Sequence, residues 1–294
     1  ASPHRTTPEC PYFGRCGGCR YQHMSYAHQL AVKERQVEQV LRRLGNVADP
    51  PMRRIIPSPR PYGYRNRVTV HAAEGVIGYY RIDPHKLIDV ELCPIAKPEV
   101  NAALRELRQR KPRDGHYTLR AHGGPRVFAQ TNDEVAAALI ELVTRLLPEV
   151  RTLLIDAYCG AGFFSKRFAR TFERVIGIEW DRFAVAAASE NAAPNETYMS
   201  GDVGLELRAQ LAAADLTQTC AIVDPPAEGL AHEARQALLA HPPATLIYVS
   251  CNPATLARDL KELQERFVIR SVTPLDMFPQ TAEIEVAAHL SRSG

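Results

Sequence analysis

The chain has 294 residues, 45% of them hydrophobic and 23% charged, which suits two globular domains and excludes a disordered, collagenous or coiled-coil protein. No run of about 18 uncharged apolar residues is present and the first residues lack the apolar stretch of a secretory signal, so a cytoplasmic location is expected. The formal net charge of +3 hides an asymmetry: residues 1–126 carry 22 Lys and Arg against 11 Asp and Glu, whereas residues 127–294 carry 14 against 22. The first part is therefore a candidate polyanion surface, although charge alone is equally a solvated basic face.

The chain opens on a cysteine arm. Cys10, Cys16 and Cys19 form C-x5-C-x2-C, with Gly17 and Gly18 allowing the backbone to wrap a bound centre, and Cys93 follows in Glu91-Leu-Cys-Pro. Four such thiolates can hold zinc or an iron–sulfur cluster, while a disulfide or unrelated free thiols are the alternatives. The uneven spacing and remote fourth ligand favour a cluster over paired zinc knuckles. A radical enzyme would need C-x3-C-x2-C and an open iron, so a fourth cysteine makes the expected cluster structural.

Ser25 to Leu44 reads as a helix, with Val37, Val40, Leu41 and Leu44 on one face and Gly45 as its stop. A proline-rich connection, 50–61, comes next. Strand-like runs at Arg65–His71, Val76–Tyr80 and Leu87–Val90 suggest a small antiparallel sheet stapled to the arm. Pro98–Arg110 and Asn132–Leu147 are amphipathic helices.

From residue 151 short apolar runs ending in an acid or thiol alternate with helical stretches. Leu153–Asp156, Val175–Glu179, Tyr198–Asp202, Ala221–Asp224 and Leu246–Cys251 are five candidate parallel strands, and Ile284–Leu290 is a sixth run. This predicts a doubly wound, Rossmann-like α/β sheet whose ligands lie beyond the strands' carboxyl ends. The expected division is 1–127, a basic cysteine-bearing domain, and 128–294, the α/β sheet domain, with helix 25–45 packing on the latter.

Asp156-Ala-Tyr-Cys-Gly160-Ala-Gly162 gives a tight turn after the first of these strands. Glu179 ends the second, where an acid accepts ribose hydroxyls, and Asp202 ends the third, beside an adenine edge. The set suits S-adenosylmethionine, because a dinucleotide would want G-x-G-x-x-G and here Phe-Phe-Ser follows the turn.

Asp224-Pro225-Pro226 and Ser250-Cys251-Asn252-Pro253 end the fourth and fifth strands, and Glu285 lies in the last run. Cys159 and Cys220 lack such a setting and read as packing residues. A thiolate, a carboxylate and a methyl donor together suit methylation of a pyrimidine carbon. Addition of the Cys251 thiolate to C6 makes C5 nucleophilic, Glu285 removes the C5 proton, and Asp224 holds the N3–H of uracil.

These residues resemble the RNA 5-methyluridine methyltransferases, most of all the bacterial 23S ribosomal RNA (uracil-5-)-methyltransferases that carry a four-iron four-sulfur cluster, in the branch without an auxiliary N-terminal barrel. The resemblance rests on the four cysteines, Phe128-Ala-Gln130-Thr-Asn132, Asp156-Ala-Tyr-Cys-Gly, Asp224-Pro-Pro, Tyr248-Val-Ser-Cys-Asn-Pro-Ala-Thr-Leu-Ala-Arg258-Asp and Asp276-Met-Phe-Pro-Gln-Thr281. It implies Cys251 as nucleophile, Glu285 as base and Asp224 as a uracil contact. Gln130, Tyr158, Gly160, Glu179, Asp202 and Asp224 would lie around S-adenosyl-L-methionine; Cys10, Cys16, Cys19 and Cys93 would hold the cluster; Arg65 and Arg67 would meet RNA phosphates. Ala227 stands where family members usually have Arg, and Glu283 where they often have His. Glu283 and Glu285 would share a strand face, so spacing from Thr281 selects the base. The expected substrate is RNA, ribosomal before transfer RNA, and no protein partner is implied. A noncatalytic RNA-binding factor and a cytosine methyltransferase are the competing readings. The target uridine must leave its stack, and Tyr12, Phe13, Tyr21 and His23 are either stacking surfaces or local packing of the arm.

Overall fold

The computed structural model describes residues 2–83, 86–121 and 130–294. In chain order the elements are α1 (Tyr26–Arg43), β1 (Arg67–Ala73), β2 (Val76–Tyr80), β3 (Leu87–Asp89), α2 (Pro98–Gln109), β4 (Gly115–Arg120), α3 (Asp133–Leu146), β5 (Leu153–Ala157), α4 (Ser165–Phe168), β6 (Arg174–Glu179), α5 (Arg182–Ser189), β7 (Glu196–Ser200), α6 (Val203–Ala213), β8 (Thr219–Val223), α7 (His232–Ala240), β9 (Thr245–Ser250), α8 (Pro253–Leu263), β10 (Phe267–Leu275) and β11 (Glu285–Arg292). The expected domain boundary and Phe128 lie in 122–129, outside the described residues.

The large sheet has the order β10-β11-β9-β8-β5-β6-β7. Strands β5 to β9 run parallel, and β11 is antiparallel to both neighbours. This is the expected doubly wound, Rossmann-like sheet. Its central strands β5, β8 and β9 are buried throughout, which is why they read as unbroken apolar runs. Strand alternation sends Leu153, Ile155 and Ala157 into one core, with residues of α6, α7 and α8, and Leu154 into the other, with α3.

Helix α1 belongs to the first of these cores through Val37 and Leu41. Its buried stripe is Gln29, Lys33, Val37 and Leu41, a strict four-residue spacing, while Leu44 is exposed rather than packed. The small sheet, β3-β2-β1-β4, is antiparallel and packs Val68 and Val70 against Val100 and Leu104 of α2.

Two strands, β4 and β10, were not anticipated. The proline-rich connection is also more than a linker, since Pro51 O accepts from Val272 N (2.9 Å), and Arg53 N and Ile56 N donate to Val272 O (2.8 Å) and Pro274 O (2.9 Å). It covers the open edge of β10, where Pro274 is tolerated because an edge strand can spare an N–H. No helix among the described residues is long and apolar enough to cross a membrane.

Candidate active site

The carboxyl ends of β5, β6 and β7 gather one group of expected residues. The turn after β5 runs through left-handed backbone at Tyr158 (φ 63°), Gly160 (φ 53°) and Gly162 (φ 88°). At Gly162 a Cβ would also stand 3.1 Å from the Tyr198 hydroxyl, so the turn requires glycine there. Glu179 ties this turn to the end of β6, accepting from Gly160 N and Asp181 N at 3.0 Å each. Each oxygen keeps a lone pair for a further donor. Asp202 is exposed and caps α6 by accepting from Leu205 N at 2.9 Å. The Tyr158 hydroxyl is buried beside the main chain of Ala231. Gln130 is buried just before α3 and is fixed from the other side, where its carbonyl accepts from Asn66 Nδ2 at 2.9 Å. Asp156, beneath the turn, accepts from Ser165 N at 2.8 Å; burial pushes its carboxyl up to about 7.

Register brings the second group together. Val223 pairs with Tyr248 and Ser250 with Val286, so the residues just past each pair place Asp224, Cys251 and Glu285 at one edge of three adjoining strands, β8, β9 and β11. Cys251 is half-buried, and its thiol is pushed up to about 11 by burial and then by the carboxylates of Glu285 and Asp224. Both carboxyls are raised in turn: Glu285 by burial, and Asp224 by burial, Glu285 and Asp156. Ionised Glu285 thus opposes ionisation of Asp224, and both carboxylates oppose that of the Cys251 thiol.

The loops carrying Asp224 and Cys251 are stapled together by the start of α8. Asn252 Nδ2 and Thr255 Oγ1 donate to the carbonyl of Ala227 at 2.9 and 3.1 Å, and Arg258 Nη2 donates to that of Glu228 at 2.9 Å. Position 227 therefore acts here through its main chain. Buried Asp259 completes the brace, accepting from Leu230 N, the Tyr248 hydroxyl and Arg258. Glu283 does not share a face with Glu285: β11 begins only at 285, and Glu283 is exposed while Glu285 is 3% exposed.

The segment leading into Glu285 is held by α1, which sequence reasoning missed. Lys33 Nζ donates to Asp276 Oδ1 (2.6 Å), Glu283 O (2.9 Å) and Phe278 O (3.0 Å). Gln29 and Gln280 exchange two hydrogen bonds, of 2.9 and 3.1 Å. Gln280, at φ 70°, also accepts at its carbonyl from Arg20 N and Tyr21 N, the amides that directly follow Cys19. The available signal was the polar pair Gln29 and Lys33 in line with Val37 and Leu41.

All four expected ligand cysteines are free thiols, and they line one cavity of about 380 Å³. Among the described residues, no group of three or more His, Cys, Asp or Glu is drawn close enough to hold a single metal ion. Of the polar groups lining this cavity, the Gln22 amide and the Tyr79 hydroxyl stand at the sulfurs of Cys19 and Cys93, and Thr131 Oγ1 has no hydrogen-bond partner among the described residues. Burial pushes Cys19 up to about 12 and raises Cys16 and Cys93. Arg65 and Arg67 line the same cavity; Arg65 Nε donates to Arg67 O at 3.2 Å, and Arg67 faces Arg120 across the β1–β4 ladder. Tyr12 accepts from Glu91 N, Tyr21 contacts Gln36 and Phe13 packs on His23, which is the local-packing reading of these aromatics.

The family model described as tRNA (Uracil-5-)-methyltransferase matches residues 112–293. The chain belongs to that family. An RNA methyltransferase of Gloeobacter violaceus is 30% identical and aligns with 100% of this chain and 84% of its own length. The 23S rRNA (uracil(1939)-C(5))-methyltransferase RlmD of Acidithiobacillus ferrooxidans is 29% identical over 99% of this chain and 85% of its own. The fold matches the Pyrococcus abyssi tRNA (uracil-54, C5)-methyltransferase, solved with S-adenosyl-L-homocysteine, at TM-score 0.74 and 23% identity, covering 99% of this chain and 87% of that one. The protein is an S-adenosylmethionine-dependent RNA uracil-5-methyltransferase, and its substrate is RNA.

Proposed function

We propose that this methyltransferase acts on a uridine of 23S ribosomal RNA through a covalent Cys251–C6 adduct. The convergence of Cys251, Asp224 and Glu285 on three adjoining strand ends carries this reading. The Cys251 sulfur bonds to C6 and its thiol proton leaves to solvent or a neighbouring carboxylate. The C5 carbon then takes the methyl group as the sulfonium bond breaks. Glu285 accepts the C5 proton, and the sulfur–C6 bond breaks to restore the thiolate. Asp224 would hold the uracil edge, and Gln130, Tyr158, Gly160, Glu179 and Asp202 the methyl donor. The 23S-directed relative supports ribosomal RNA, and the transfer-RNA relatives keep a tRNA uridine as the second reading.

Residues 1–127, apart from α1, are assigned to a cluster-bearing RNA-binding unit and 128–294 to catalysis. Cys10, Cys16, Cys19 and Cys93 would hold a four-iron four-sulfur cluster. Four thiols around one cavity, with the Gln22 amide and the Tyr79 hydroxyl beside the Cys19 and Cys93 sulfurs, suit a cluster whose sulfur atoms accept hydrogen bonds. Such a cluster would supply cross-linking of the arm to the small sheet. Arg65 and Arg67 would meet RNA phosphates at the cavity's rim.

Trapping tests the covalent step. RNA containing 5-fluorouridine is expected to form a denaturation-stable adduct that Cys251→Ala abolishes, and ribosomal RNA is expected to trap faster than transfer RNA. Absence of any adduct with the wild-type protein overturns the covalent mechanism.

A further inference from the structure

On the α3 side of the large sheet, away from the cysteine arm, lies a groove of about 440 Å³. Its floor is apolar, from Ile56, Leu142 and Leu146. Three arginines from three different elements stand around it: Arg53 on the ribbon that edges β10, Arg145 in the last turn of α3, and Arg270 at the bulge of β10. All three are exposed, and none is paired with a carboxylate among the described residues. Arg270 uses only Nε, donating to Ser291 Oγ at 2.7 Å, which leaves the rest of its guanidinium open.

The wall of the groove is polar. Ser271 and Thr273, 6% and 4% exposed, line it. His289 sits directly opposite Ser271. Two hydroxyls and an imidazole gathered on one wall offer donors and acceptors to a polar ligand. Burial and the neighbouring Arg270 hold His289 below its usual value, so its ring is neutral and offers one donor and one acceptor.

We propose that this groove binds a stretch of the RNA substrate beyond the reacting uridine, with backbone phosphates on Arg53, Arg145 and Arg270 and the ribose or base edge on Ser271, Thr273 and His289. The proposal rests on the RNA methyltransferase assignment and adds a second RNA contact on the catalytic sheet itself. Placement supports it. Glu285 and His289 point to the same face of β11, four residues or about 13 Å apart, and β11 runs from the reacting edge toward the starts of the parallel strands, so the groove suits RNA that extends past the reacting uridine rather than the uridine itself. An apolar floor suits a base, and guanidinium groups suit phosphate oxygens.

The test compares wild type with Arg145→Gln/Arg270→Gln and with the near-isosteric Thr273→Val, using unmodified ribosomal RNA transcribed in vitro and a short 5-fluorouridine oligonucleotide. With the long RNA, the arginine variant is expected to raise KM about tenfold at unchanged kcat and to flatten the dependence of log affinity on log salt by about one per arginine. Thr273→Val is expected to weaken long-RNA binding without changing the salt slope. Trapping of the short oligonucleotide and binding of S-adenosylmethionine stay unchanged in all variants, so a failure of the Cys251 chemistry and a failure at the groove read differently. Unchanged KM and salt slope in the arginine variant overturn the proposal. So does inorganic phosphate binding that the arginine variant abolishes while RNA binding is untouched, since the groove would then hold a free anion.

Discussion

Lys33 Nζ lies 2.6 Å from Asp276 Oδ1, and neither side chain reaches solvent. The ammonium also satisfies the carbonyls of Phe278 and Glu283, so one buried charge on α1 fixes the chain just before Glu285. Lys33→Met strands the Asp276 carboxylate and is expected to cost about 3–5 kcal/mol in chemical denaturation. Lys33→Met/Asp276→Leu removes both charges and should recover much of that stability. The double variant should still be slower in methyl transfer than wild type, because the two carbonyls no longer have their donor.

Glu285→Gln keeps the shape of the site and removes the proton acceptor needed after methyl transfer. Methylated RNA attached to Cys251 is expected to accumulate as an adduct stable to denaturing electrophoresis, with turnover down by about 10²–10⁴. Unmethylated adduct, or none, would assign the elimination step to another group.

Three buried carboxyls, Asp156, Asp224 and Glu285, hold their protons to higher pH than usual. The unfolded chain releases the same protons near pH 4. The folded state therefore binds more protons from there up to about pH 7, and its stability falls as pH rises through that window. Urea midpoints measured from pH 5 to pH 7.5 should decline from this contribution, and Glu285→Gln should decline less steeply.

The Cys251 thiol, pushed up to about 11, needs a positive neighbour to become a thiolate at neutral pH. S-adenosylmethionine brings a sulfonium charge that S-adenosylhomocysteine lacks. Alkylation of Cys251 by iodoacetamide should be faster with the first bound than with the second, both shielding the site alike.

Purified without oxygen, the protein is expected to carry iron and acid-labile sulfide in equal amounts, about four of each per chain. Cys93→Ser should lower both. Zinc as the sole metal would assign the arm to a different centre.

The catalytic sheet was legible because β5, β6, β8 and β9 are short apolar runs ending at chemically distinctive residues, and Asp224, Cys251 and Glu285 fall where three strand ends meet. Strand β10 was not, since Arg270, Ser271 and Pro274 break its pattern, and the bulge between Ile269 and Ser271 resets its alternation. Nor was the role of α1. Lys33 and Gln29 look like solvent-facing residues until their partners at 276 and 280 are known, and their one local trace is the four-residue spacing from Val37 and Leu41.

The carbonyl of Gln280 receives the amides of Arg20 and Tyr21, so the stretch behind Cys19 and the stretch ahead of Glu285 are laced into one seam. Neither can be transplanted alone. A chimera that borrows its first 25 residues from a relative must borrow 276–283 and the matching face of α1 as well, or the graft will leave the base without its anchor.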